Sequence, residues 1–87
     1  MKANLKAFVK ERDEMLKKCS VEELRKFIND HKKEYGAEFV ERFNNAHALV
    51  QEITLHKMIV NVPKLPEEVR QYSAFWLGIH GCDLKIK

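Results

Sequence analysis

The stretch "SVEELRKFINDHKKEYG", residues 20–36, carries both the start and the stop signal of a single helix. Its first four residues form a capping-box pattern. The Ser20 hydroxyl can accept from the Glu23 amide while the Glu23 side chain reaches back to the Ser20 amide. Cys19 and Leu24 stand where a hydrophobic staple would place them. Behind the cap, Val21, Leu24, Phe27, Ile28 and Tyr35 recur on one helical face, with His31 in their midst. Lys32 and Lys33 lie in the last turns, at the negative end of the helix dipole. Gly36 suits the left-handed residue that follows a helix. A helix over 21–35 with both ends marked makes the flanking segments separate elements.

Upstream, Leu5, Phe8, Val9, Met15, Leu16 and Cys19 fall within an arc of about 120° at helical spacing, predicting a first helix over 4–18 with Asn4 as its cap. Asp13–Lys17 and Glu14–Lys18 are i,i+4 pairs in the favourable order. Downstream, Phe39, Phe43, Ala46, Val50 and Ile53 form the stripe of a long helix over 37–60, from which Leu55 and Ile59 point away. Pro66 opens a last helix over 66–80, with Glu67 and Glu68 in its positive first turn and Gly81 as its stop. On its anchoring face stand Val69, Tyr72, Ser73, Trp76, Ile79 and His80. These four helices and their short connections predict an all-α, compact bundle forming one domain over 1–87. The β-branched run 57–62 and the alternating tail 83–87 also fit a short two-stranded β element.

Charge and cysteine content narrow the function classes. The 87 residues carry 16 Lys and Arg against 13 Asp and Glu, a net charge of +3. Acids interleave with the basic residues of the first half, unlike a nucleic-acid-binding tail. No run approaches the ~20 apolar residues of a membrane span, and charge interrupts the N-terminus, unlike a signal peptide. Two cysteines, Cys19 and Cys82, are too few for a disulfide framework and point to a reducing, cytoplasmic setting. His80 and Cys82 give one close pair without a second pair at zinc-ligand spacing. With three glycines and no phosphate-cradling or nucleophile-elbow motif, the chain is expected to be neither an enzyme nor a cofactor binder.

Three residue groups remain. Arg12, His31 and Lys57 sit where the periodicity calls for apolar side chains, making a candidate buried polar cluster. Phe75 lies about 100° around from Trp76, and with Leu55 and Ile59 it forms a candidate protein interface. Lys6, Lys10, Lys17, Arg25 and Lys26 form a candidate basic face. The expected function is a protein–protein interaction or small regulatory module, self-associating as a homodimer or bound to a protein partner. The alternative is an accessory nucleic-acid-binding protein that uses the basic face.

Overall fold

A computed structural model describes residues 2–82, with side chains described from Lys6 onward. It contains six helices: α1 (Lys2–Leu16), α2 (Val21–Asp30), α3 (Lys32–Tyr35), α4 (Ala37–Asn45), α5 (Ala48–Val60) and α6 (Glu67–Ile79). There is no strand among the described residues. Residues 57–60 complete α5, so the expected strand 57–62 is helix over most of its length. Its proposed partner, 83–87, lies outside the described residues. The all-α fold holds, with two of the four expected helices broken in two.

Both breaks have visible causes. At the first, His31 takes a non-helical conformation (φ −115°, ψ 42°), and its ring stacks on Phe27 at 4.1 Å. The His31 backbone N–H donates to Phe27 O, and its Nδ1 lies 2.9 Å from the same oxygen. At the second, Ala46 and His47 are extended, with ψ near 150°. His47 is the N-cap of α5, its Nδ1 accepting from the Leu49 amide. Gln51 then donates from Nε2 to Phe43 O at 2.7 Å, satisfying a carbonyl at the end of α4. The Asn44–Asn45 pair before the break favours this outcome, because Asn competes with helical hydrogen bonding. Asn44 exchanges two side-chain hydrogen bonds of 2.9 Å with Asn29 on α2.

Caps were the most legible feature. Ser20 is the N-cap of α2 and accepts from the Glu23 amide at 3.4 Å. The Glu23 carboxylate pairs with Lys18 Nζ at 3.7 Å and does not close the other half of the box. Gly36 (φ 92°) and Gly81 (φ 67°) both have the positive φ expected of helix stops. At Gly81 the bonds Cys82 N–H to Leu77 O and Gly81 N–H to Gly78 O complete a Schellman motif. Pro66 is the N-cap of α6, one residue before the expected position. Asn4 lies inside α1, which starts at Lys2, and so does not cap it. Neither expected i,i+4 pair on α1, Asp13–Lys17 or Glu14–Lys18, is among the described ion pairs: Glu14 meets Lys17 at 3.3 Å, Asp13 meets Arg12 at 2.9 Å, and Lys18 meets Glu23.

The core gathers Met15 and Leu16 of α1, Leu24, Phe27 and Ile28 of α2, and Val40 and Phe43 of α4. Leu55 and Ile59 of α5 join them, with Val62 and Leu65 of the following connection. α5 is apolar around most of its circumference because it is the central helix: α1 and α2 pack on one side of it and α6 on the other. α6 packs chiefly on α5 and forms the outer layer.

Candidate functional site

The expected interface divides in two. Leu55 and Ile59 are 1% and 0% exposed, so they belong to the core and not to a surface. One continuous helix over 37–60 would carry the phase of Phe39 and Phe43 past Ala46–His47. The break resets that phase and turns Leu55 and Ile59 inward. Phe75 is 68% exposed. It follows Ser73 by two residues, about 200° around the helix, and Ser73 is fully buried toward α5. Phe75 therefore points directly away from the bundle.

Its neighbours extend the patch. Of the two residues read in sequence as anchors, Ile79, 64% exposed, shares the outer face with Phe75, while Tyr72, 57% exposed, lies at the rim of that face with its ring edge-on to His56 of α5 at 6.0 Å. The residues that anchor α6 are Ser73 and Leu77, supported by half-buried Trp76 and Val69. Tyr72, Phe75 and Ile79 follow the i, i+3, i+7 spacing of a helix seam. Gly78 lies on the same side, and a Cβ built there meets nothing within 4 Å. Nothing inside the chain requires a glycine at that position. The spacing of the three apolar residues was visible in the sequence, but their direction depended on knowing which side of α6 met α5.

The contact between α5 and α6 is unusually polar. His56 Nδ1 and Ser73 Oγ are 2.9 Å apart and buried. The His56 ring stacks on Trp76 at 4.3 Å, and Trp76 stacks on His80 at 3.9 Å. His80 Nδ1 lies 2.8 Å from Trp76 O. Burial holds the His56 imidazole below its ordinary range; the Glu52 carboxylate partly offsets this, and His80 adds to it. A serine beside a histidine is the start of a nucleophilic pair. Ser73, however, is fully enclosed, so its hydroxyl packs the helix pair and is not presented to a substrate.

Arg12, His31 and Lys57 do not form a buried polar cluster. All three are half-buried, and no hydrogen bond or ion pair joins one to another among the described residues. Arg12 holds Asp13 through Nε and Nη2, and His31 Nε2 lies 3.4 Å from Glu11 Oε2. Arg12 and His31 keep 28% and 21% of their side-chain surface exposed, so neither charge-bearing group is enclosed with its whole side chain. The polar groups that are buried are Gln51, His56 and Ser73, on the central helix and its outer neighbour. The Tyr35 hydroxyl is also enclosed, without a hydrogen-bond partner among the described residues. Burial raises its pKa, with Arg12 opposing and Glu34 reinforcing.

The basic face also separates. Lys6, Lys10 and Lys17 line a groove on α1 of about 560 Å³, joined there by Lys64, Val9, Asp13 and Glu14. Asp13 is occupied by Arg12 and Glu14 by Lys17, leaving Lys6, Lys10 and Lys64 without an ion pair among the described residues. Arg25 and Lys26 are on α2, and Arg25 donates from Nη2 to Gln51 Oε1 at 3.0 Å. That bond gives Arg25 a place in the scaffold. Cys19 and Cys82 are both unpaired. No group of three or more His, Cys, Asp or Glu residues able to hold a metal ion occurs among the described residues. No described helix is long and apolar enough to cross a membrane. In comparisons with known proteins, the chain matches no family model, no curated protein and no solved structure.

Proposed function

We propose that this chain is a protein–protein interaction module whose docking surface is the outer face of α6. The supporting observation is that Tyr72, Phe75 and Ile79, each more than half exposed, fall on one side of a helix whose other side is packed. A contiguous apolar face of this kind is costly in water and usually marks an interface. The reading assigns no catalysis to the chain, and the unpaired cysteines support a reducing, cytoplasmic setting. Affinity capture with the intact chain and with Phe75→Glu as paired baits, each with and without nuclease, tests it. Protein partners that survive nuclease and vanish with Phe75→Glu are expected. Identical captures by both baits would overturn the reading.

A second reading rests on the groove of Lys6, Lys10 and Lys64, three cations that form no ion pair among the described residues. It makes the chain an accessory nucleic-acid binder through phosphate contacts. A mobility shift at low salt that disappears when these lysines become glutamate supports it. An unchanged mobility at low salt rules it out.

A further inference from the structure

We infer that the occupant of the α6 face is a second copy of the same chain, its α6 laid antiparallel to the first across a two-fold axis at Phe75. The inference rests on the interaction reading above and specifies the partner. A two-fold contact must be self-complementary, since each residue meets the one equally far beyond the axis. With Phe75 on the axis, Tyr72 of one copy meets Gly78 of the other, each three residues from the centre. A large ring then faces the one position of α6 that has no side chain. Gln71 of one copy likewise meets Ile79 of the other.

This pairing gives a reason for Gly78. Glycine weakens a helix interior, and at this position neither backbone strain nor a close neighbour within the chain asks for it. A second helix seated over it does, because an aromatic ring needs the space. The parallel alternative sets Gly78 against Gly78 and leaves a void there. It also brings Glu67 and Glu68 of both copies together, whereas the antiparallel pairing keeps the two Glu68 residues about 21 Å apart along the axis, well beyond the ~8 Å screening length. Charge and shape therefore select the same orientation.

The area fits a modest dimer. At roughly 200 Å² for each large side chain, the exposed fractions of Tyr72, Phe75 and Ile79 amount to about 380 Å² per copy. For two copies that is about 760 Å², with exposed Glu68, Gln71 and Gly78 adding at the rim, which is the size of a weak, transient contact. So small a contact is to be sought at high chain concentration.

Sedimentation equilibrium of the intact chain from about 5 µM to about 1 mM tests this, with Phe75→Glu and Gly78→Leu beside it and circular-dichroism melts confirming that each variant folds. The wild-type mass should rise toward twice the monomer. Phe75→Glu should weaken association at least ~100-fold, as expected for losing a central aromatic anchor and burying a charge in its place. Gly78→Leu should weaken it ~10-fold or more while keeping or raising helix stability, because it fills the seat of Tyr72. A wild-type chain that stays monomeric at the highest concentration overturns the inference, as does a dimer indifferent to either variant. If the chain is monomeric yet captures other proteins through Phe75, self-pairing fails and the interaction reading stands. If capture is also indifferent to Phe75, both fail.

Discussion

Acid should loosen the contact between α5 and α6 through His56. In the folded chain this imidazole is enclosed between Ser73 and Trp76, and burial holds its pKa below the ordinary value. In the unfolded chain it titrates near pH 6.5. Above that pH both states hold a neutral ring, and the stability of this contact is fully present. Below it the unfolded chain binds a proton that the folded chain resists. Unfolding free energy then falls by up to ~1.4 kcal/mol per pH unit until the folded ring protonates too. For a domain of this size that is a substantial part of the total, roughly 4–13 kcal/mol. The reference is the double variant His56→Phe/Ser73→Ala, which keeps a ring against Trp76 and removes both polar partners. His56→Phe alone strands an enclosed hydroxyl and should cost ~1–3 kcal/mol at pH 7.5. Urea unfolding followed by the fluorescence of Trp76, the chain's single tryptophan, gives the free energy at each pH. The stability difference should move against the wild type relative to the double variant as pH falls from 7 to 5.5, at no more than ~1.4 kcal/mol per pH unit. Parallel pH profiles would refute the reasoning.

Other substitutions test other parts of the structure. Gly78→Ala fills open space at an unstrained helical position and should stabilise the monomer by ~0.5–1 kcal/mol, seen as a Tm about 2–8 °C higher at low concentration. Leu55→Ala empties a core site and should cost ~2–5 kcal/mol in urea unfolding; a loss below about 0.5 kcal/mol would return Leu55 to the surface. Gln51→Ala removes the bonds to Phe43 O and Arg25, and should cost ~1–3 kcal/mol with faster amide exchange at the α4–α5 junction. Phe75→Glu should change monomer stability by no more than about 0.5 kcal/mol, measured by urea unfolding at a few micromolar chain, since the ring touches little of its own chain.

The helix ends were legible because caps are local. Ser20, Gly36, Pro66 and Gly81 each act within a few residues, and each ends up at the boundary its chemistry suggests. The breaks at His31 and at Ala46–His47 were not legible, because groups from other helices meet both: the His31 ring, besides stacking on Phe27, lies against Phe8 at 5.1 Å and near Glu11 of α1. Asn44 finds Asn29 fifteen residues away, and Gln51 takes the Phe43 carbonyl that a continuous helix would have used itself. Without that tertiary support the periodicity of 37–60 reads as one helix. Once the helix is assumed continuous, every later position inherits the wrong direction.

The candidate site was half legible for a related reason. Phe75 stood out because it could not share the direction of Trp76, a relation contained within one helix. Leu55 and Ile59 were misplaced because a helix apolar on most sides offers no unique inner face, and only its neighbours decide which residues are covered. α5 packs against α1, α2 and α6, so Leu55 and Ile59 are consumed within the chain, while Leu49 and Val50 near its start stay exposed. α6 has a neighbour on one side, so its surplus remains. α6 is held on its inner side by buried Leu77 and Ser73 and by the His56–Trp76 stack, and its outer side carries Phe75 and Ile79 in the open with Tyr72 at the rim. Covering that outer side therefore stabilises the association and the seating of α6 on the bundle together. Amide protection in α6 should accordingly rise with chain concentration, while protection in α2 should not.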